Sequence, residues 1–558
     1  MTDETTQAEP VRPDAVPAEP VHVEAAQAES APAETEQAET EQAEAEQAET
    51  ADEPVAAKEK PRRRVSRRRF LTHSATAAGA LAVGGLVGAA VQREINEAQI
   101  PPTITPQVVF DDASRLNPTS IRGVIFAGNS LTSTRDVIAP LLRRIAAGED
   151  PPVAVSGVRH SMGGQSLARD GWVLDMQPLK DVEVDSANRV MRVGTGATWR
   201  DVIPVLNAAG LAPMVMQSNH DFTVGGSLSV NCHGWHTNSQ PIASTVQSLR
   251  LLTADGDVVV CSPQENPELF HLALGGYGMF GVILEADIAV VPNVLFRKPE
   301  FAPVSTSDYA TSFAQRVYEP GSPVEMAYGR LSVDPNSFLD EAIIATFTPV
   351  PDTRGDILPL TAALSSEIAR AVYRNSAGGG AGKALRWFLE REASPWFADE
   401  VSRNSVLNEP AAVFANRSPH TTDILHEYFV PQARLSEFVG QAKEIIQRTK
   451  GNLLNVTVRD VRGDSRSVLA YAHEDMFGLV MSFVQERTGP GEGRMRAMTR
   501  ELIDASIATG GRFYLPYRIH ASIDQLRRAY PAWDTAMQAK DRYDPKHVFR
   551  NGLYDAYR

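Results

Sequence analysis

The chain has 558 residues, with 54 Lys plus Arg against 69 Asp plus Glu and a net charge of −15. The whole excess sits in residues 1–57, which hold sixteen acids and one base, Arg12; the remaining 501 residues balance at 53 of each sign. A neutral body lacks the basic face that nucleic-acid binding requires, and two cysteines, Cys232 and Cys261, exclude a disulfide scaffold and any four-cysteine zinc or iron–sulfur site.

Residues 1–57 are a tract of Ala, Glu, Gln, Thr and Pro in which Gln-Ala-Glu recurs at Gln37, Gln42 and Gln47. A period of five keeps no residue type on one helical face, and few large apolar side chains are present to offset the entropy of ordering. The tract reads as a disordered acidic tail; a partner-binding tail is the functional alternative. Residues 58–95 change character. Pro61 to Leu71 carries six arginines, followed by the apolar, Gly-rich run Ala75–Val91 and then Arg93-Glu94. Seventeen weakly hydrophobic residues are short for a membrane span and suit a signal segment. Ser66-Arg67-Arg68-Arg69-Phe70-Leu71 resembles a twin-arginine export signal. That resemblance implies the twin-arginine export machinery as a partner. It also implies a location across the cytoplasmic membrane or on it, in a bacterial envelope or secreted. Residues 75–91 would be the tether if the segment is not cleaved.

The body begins near residue 101. Val153–Ser156, Trp172–Asp175 and Val190–Val193 read as strands. Thr198 to Gly210 reads as a helix: Thr198 can cap it, Trp199, Val202, Ile203 and Leu206 form one stripe, and Gly210 can end it, although Pro204 interrupts the pattern. Ser248–Thr253 and Val258–Cys261 flank the turn signal Ala254-Asp-Gly-Asp257. A short helix at Pro267–Leu274 and a strand at Val282–Val291 follow. The fold class expected is α+β, built on hairpins rather than strict βαβ units. Residues 293–515 look more helical and are taken as a second, substrate-binding α+β domain. Residues 516–558 are taken as a return to the first domain, residues 101–292.

Gly276-Tyr-Gly-Met-Phe-Gly281 satisfies G-x-G-x-x-G, but a helix precedes it and a strand follows, the reverse of a dinucleotide fingerprint. Gly378 to Lys383 lacks the first glycine and the Ser/Thr of a P-loop. Three other segments carry more. Ser156-Gly-Val-Arg-His-Ser-Met-Gly-Gly-Gln-Ser166 lies between two strands and can turn backbone N–H groups toward a pyrophosphate. Asp221-Phe-Thr-Val-Gly-Gly-Ser-Leu-Ser-Val-Asn-Cys-His-Gly234 is a second Gly-rich turn, suited to close approach of a flat ligand. Leu274 to Ile283 is the third.

In this order and spacing the three segments resemble the FAD-binding domain of the vanillyl-alcohol oxidase / p-cresol methylhydroxylase (PCMH-type) superfamily. Arg-His-Ser is similar to alditol oxidases, and His-Ser-Met-Gly-Gly-Gln to cytokinin dehydrogenases and bacterial FAD-linked oxidases. The likeness is strong over residues 115–292, moderate at Arg542–Asn551 and weak between. It implies a two-part FAD-binding domain with a cap domain. It also implies FAD held by Ser156, Gly157, Val158, Arg159, His160, Ser161, Gly164, Gln165, Ser166, Asp221, Thr223, Gly225, Gly226, Ser229, His233, Gly278, Gly281, Val282 and Asn551, and a covalent bond from His160 to the flavin. No cysteine precedes the Val-Gly-Gly turn, so a second covalent link is not expected. Cys232 and Cys261 either pair after export or are small buried residues.

FAD performs the oxidation while the protein orients and tunes it. Removing hydride from a CH–OH group also requires a proton acceptor and positive charge near the flavin edge that becomes anionic. Leu425–Pro431, Asn455–Arg459 and Phe513–His520 supply the candidates His426, Glu427, Arg459, Tyr514, Tyr517, Arg518 and His520. Strand alternation puts His426, Tyr428 and Val430 on one face and Glu427 and Phe429 on the other, and sets Arg518 with His520 opposite Tyr517. The aspartate motif of cytokinin dehydrogenases is absent, which points away from that substrate class. His233 and His236 lack a fourth partner for zinc, so no metal is expected. The reading is an exported FAD-linked oxidoreductase acting on a CH–OH group of a sugar lactone or polyol. A sterol- or lipid-type flavin enzyme and a non-catalytic flavin-binding partner protein are the alternatives.

Overall fold

The computed structural model describes residues 109–360, 373–374, 376–392 and 400–558. The acidic tract 1–57 and the arginine-led segment 58–95, with the tail, signal and tether readings placed on them, lie outside the described residues. Among the described residues no helix is long and apolar enough to cross a membrane.

Strand β1 (Gly123–Phe126), helix α1 (Leu131–Ala146), β2 (Val153–Ser156) and β3 (Trp172–Asp175) build a three-stranded parallel sheet in the order β1-β3-β2. Parallel strands need a crossover, and α1 supplies it. Ser130 and Ser133 form a capping box at its start, and Ile138, Leu142 and Ile145 are its buried stripe. The expectation of hairpins rather than strict βαβ units does not hold for this sheet, whose strands are parallel. Pro140 sits inside α1.

An antiparallel sheet follows, from β4 (Val182–Asp185), β5 (Val190–Gly194), α2 (Trp199–Ala208), β6 (Leu211–Pro213), α3 (Val224–Val230), β7 (Val246–Leu252), β8 (Val258–Cys261), α4 (Pro267–Ala273) and β9 (Val282–Pro292). Its strand order is β8-β7-β9-β5-β4, with β6 on the last three residues of β9. Thr198 caps α2, whose Trp199, Val202, Ile203 and Leu206 are buried. The Val-Gly-Gly segment is the first turn of α3 rather than a free loop, because the Thr223 hydroxyl accepts from the Gly226 N–H at 3.2 Å. Helix α4 precedes Gly276–Gly281 and β9 follows it, which agrees with rejecting a dinucleotide fingerprint there.

The chain then runs through β10 (Glu300–Ser305), β11 (Met326–Leu331), β12 (Glu341–Phe347), β13 (Thr421–Pro431), α5 (Leu435–Thr449), β14 (Asn452–Val461), β15 (Met476–Glu486), α6 (Gly489–Ala508) and β16 (Arg512–Phe513). These strands form one seven-stranded antiparallel sheet, order β10-β12-β11-β14-β15-β13-β16. The stretch 293–515, expected to be α+β but more helical than the first part, is built around this sheet. The central strands are buried on both faces, as in β15, so they lose the apolar/polar alternation that marks a half-exposed strand. Helices α5 and α6 cover one face. At the C-terminus the Val153 N–H donates to the Val548 carbonyl at 2.9 Å, and the Arg550 N–H donates to the Val153 carbonyl at 3.0 Å. Residues 548–550 thus extend the free edge of β2.

Candidate functional site

The loop after β2, the start of α3, the Gly278–Gly281 turn and the uncovered face of the seven-stranded sheet together enclose a cavity. Ser156, Gly157, Val158, Arg159, His160, Ser161, Gln165 and Ser166 line it from the first loop, with Thr223, Gly225, Gly226, Ser229 and His233 from the second segment, and Gly278 and Gly281 from the third. Glu427, Arg459, Tyr514 and Tyr517 line it from the sheet side.

The glycines are there because backbone must pass close to side chains. A Cβ on Gly157 would lie 2.2 Å from the Thr223 hydroxyl oxygen, and one on Gly225 would lie 2.7 Å from the Thr195 Cβ. Gly281 has φ +139°, a conformation reserved for glycine. The first loop is laced to the segment that carries Tyr517. The Gln165 side-chain amide donates to the carbonyls of Leu515 at 2.7 Å and Tyr517 at 3.0 Å, its oxygen accepts from the Gly163 N–H at 2.8 Å, and the Met162 N–H donates to the Pro516 carbonyl at 2.7 Å. His160 packs on Phe222 with ring centroids 4.4 Å apart. Burial lowers its pKa against the opposing pull of Asp221, so the imidazole is neutral at pH 7.

Glu427 is 2% exposed. Its Oε1 lies 2.7 Å from His233 Nε2, a close contact off the line of a good hydrogen bond, and its Oε2 accepts from the Tyr517 hydroxyl at 3.1 Å. Burial alone would raise the Glu427 pKa, but His233, Arg459 and the Tyr517 hydroxyl outweigh it and hold the carboxyl below its ordinary value. Burial lowers the pKa of His233 despite Glu427 beside it. Of the pair, the Glu427 carboxyl is the partner held ionised at neutral pH, with Arg459 and the Tyr517 hydroxyl also favouring its charge. Arg459 donates to the His233 carbonyl at 3.3 Å and to Ser218 Oγ at 3.0 Å, while its Nε is buried without a hydrogen-bond partner. Leu425, Val480, Phe222, Ile283 and Tyr277 complete an apolar surround.

Seven expected residues lie off the cavity lining. Gly164 turns behind the loop, its N–H donating to Asp112 Oδ2 at 2.8 Å and its carbonyl accepting from Gly552. Asp221 pairs with Arg200 and accepts from the Ala411 N–H. Val282 is core, and Asn551 caps the helix Gly552–Tyr557 and donates to the Tyr277 carbonyl at 2.8 Å. His426 points to the helix-covered face, where its ring nitrogens meet Tyr428 and Thr499. Arg518 and His520 both reach Glu492 on α6. These three are corrected as candidates for direct chemistry. Residues 514–520 are irregular rather than a strand, so alternation does not govern them, yet Tyr517 still reaches the cavity.

Other lining residues carried no sequence signal of their own: Gln217, Ser218, Asn219, Phe222, Thr195 and Tyr277. Gln217–Asn219 immediately precede the glycine turn, which is the one hint available. Cys232 also lines the cavity; it and Cys261 are buried and unpaired, and burial pushes the Cys232 thiol up to about 12. Among the described residues no group of three or more His, Cys, Asp or Glu could hold a metal ion.

Residues 131–262 match the family model described as FAD binding domain. The chain is similar to cytokinin dehydrogenase 6 of Oryza sativa subsp. japonica, 29% identical over 454 residues, 74% of this chain and 84% of the relative. Cytokinin dehydrogenase 10 of the same plant is 27% identical over 454 residues, 74% of this chain and 81% of the relative. Cytokinin dehydrogenase 2 of Arabidopsis thaliana is 35% identical over 161 residues, 28% of this chain and 32% of the relative. FAD is the cofactor, and the chain is an FAD-linked oxidoreductase. The cavity fits it: a cradle where a Cβ would clash, a neutral His160, and the unpartnered buried Ser166 Oγ and Arg459 Nε.

Proposed function

We propose that this FAD-linked oxidoreductase oxidises a carbon next to an N–H group of a small amine. The observation that carries the reading is Glu427, a buried carboxylate ionised at neutral pH and fixed between His233 and Tyr517 in the same cavity as the glycine cradle.

The loop Ser156–Ser166 and the Thr223–Gly226 turn would hold the dinucleotide, and bound FAD supplies the acceptor for hydride and electrons. Hydride loss from an amine carbon leaves positive charge on the nitrogen. An ionised carboxylate in a site walled by Leu425, Val480 and Phe222 stabilises that charge far better than water does. An alcohol instead gives a neutral product only when a base takes its hydroxyl proton. Glu427, held below its ordinary pKa, is a weak base for that task. This favours an amine over the sugar lactone or polyol of the sequence expectation. Arg459 brings to the cavity the sign of charge needed where negative charge gathers on the cofactor. Tyr517 orients the carboxylate, and the apolar surround excludes water. His160, neutral and lining the cavity, would be the point of covalent attachment.

The test is an anaerobic titration of the purified holoenzyme with cytokinins, alditols and sugar lactones, followed by the visible flavin absorbance. Bleaching by the amines alone supports the reading. Bleaching by a polyol or lactone, and not by amines, overturns it.

A further inference from the structure

Behind the strand that carries Glu427 runs a buried polar chain that the proposed chemistry does not use. His426 Nε2 lies 3.3 Å from Thr499 Oγ1, Thr499 Oγ1 lies 2.9 Å from His520 Nδ1, and His520 Nε2 lies 2.9 Å from Glu492 Oε1. Glu492 Oε1 also accepts from Arg518 at 2.8 Å. The other terminal nitrogen of Arg518 donates to Asn117 Oδ1 at 2.6 Å and to the Met162 carbonyl at 3.2 Å. Asn117 itself donates to that carbonyl at 2.9 Å. Met162 is two residues from His160, and Arg159 beside it has φ +58°. The turn that presents His160 is thus a strained backbone whose next carbonyl is gripped by a charged fork. The Arg518 side chain is 8% exposed and that of His520 is 0% exposed.

We propose that Arg518 is a positioning residue that fixes the Arg159–Met162 turn, and with it the His160 ring, relative to the sheet bearing Glu427. Glu492 and His520 hold its fork in place. A planar guanidinium suits this task because one side chain grips the carboxylate and the carbonyl in a set geometry. The inference rests on FAD occupying the cavity, and in its covalent readout on His160 being the attachment point.

The experiment compares full-length wild type, R518A, R518K and E492Q. It reads the melting temperature, the visible circular dichroism of bound flavin, the flavin fraction that stays with acid-precipitated protein, and kcat with KM. In folded R518A the acid-stable fraction falls and the flavin dichroism changes. There kcat drops about 10- to 100-fold, the cost of slight misplacement of a reacting partner, with KM less affected. R518K recovers part of each signal, since it restores charge without the fork. A structural role alone would lower the melting temperature and leave both flavin signals of the folded pool unchanged, and that result overturns the proposal. If R518A does not fold, E492Q decides: the same signals moving in the same direction support the clamp, and unchanged signals overturn it. A wild type that releases all its flavin into acid refutes the covalent reading separately, and the dichroism then still tests the clamp.

Discussion

Glu427 and His233 form a buried dyad, with Oε1 and Nε2 2.7 Å apart and side chains 1% and 4% exposed. They come from different parts of the fold, Glu427 from the centre of β13 and His233 from the segment after α3. The dyad therefore exists only when the flavin-binding part and the second sheet are docked. Its carboxylate is held below, and its imidazole also below, their ordinary values of 4.5 and 6.5.

That charge state sets a pH prediction. A depressed carboxylate pKa means the ionised form persists as pH falls, and is lost only below 4.5. The rate of flavin reduction in single-turnover experiments should be flat from neutral pH down to the ordinary carboxylate range and fall below it. Glu427→Gln, nearly the same shape without the charge, should lower that rate by about 10²- to 10⁴-fold with flavin content unchanged. A full rate in E427Q would remove Glu427 from the chemistry.

A second prediction concerns the cradle. A Cβ on Gly157 would sit 2.2 Å from Thr223 Oγ1 and 3.0 Å from its Cγ2. Thr223 cannot yield freely, because its hydroxyl caps α3. Gly157→Ala should give folded protein that purifies with little or no flavin colour, at a stability cost of about 1–3 kcal/mol. Retained stoichiometric flavin would show that this close approach is not part of the cofactor site.

The reach of the sequence can be traced residue by residue. The glycine segments were legible because close backbone approach and positive φ leave only one residue type able to serve. Glu427 was separable from His426 because β13 is a true strand and alternation holds along it. Arg518 and His520 also lie together and opposite Tyr517, as alternation had them, although they follow a two-residue strand in irregular chain; what alternation did not reveal is that the pair meets Glu492 and not the cavity. The strands of the parallel sheet were legible one by one, but their parallel pairing is set by tertiary contacts; the seven-stranded sheet was hidden by strands buried on both sides. Ser218 and Asn219 had no signal beyond their place just before the glycine turn; the fold brings them to the cavity.

A third prediction separates stability from catalysis. Glu390 accepts from Arg330 at 2.8 Å and from Arg386 Nε at 2.7 Å. Burial opposes its ionisation, yet the two arginines hold its pKa at about 2. With the folded pKa below the unfolded one, this contribution is complete above 4.5 and fades as pH falls toward 2. Glu390→Gln should therefore cost about 2 kcal/mol in urea unfolding at pH 7, and progressively less as the pH is lowered through that window. A penalty independent of pH would assign the effect to packing instead.

The last prediction tests the two readings that sequence alone supports. A neutral His160 lining the cavity has a ring nitrogen lone pair available for attachment, whereas a protonated ring would have none, and burial favours the neutral form. Acid precipitation of wild type should therefore leave a yellow pellet, and His160→Ala a colourless pellet with any flavin in the supernatant. Flavin released from both would leave His160 a noncovalent contact. Export is tested on the same protein expressed with its first 95 residues. Replacing Arg67 and Arg68 together by lysine keeps the charge but removes the two guanidinium groups of the signal. The expected result is yellow, flavin-loaded protein retained in the cytoplasmic fraction while the unaltered chain reaches the envelope or medium. Equal distribution of the two would show that the arginine run is a basic linker.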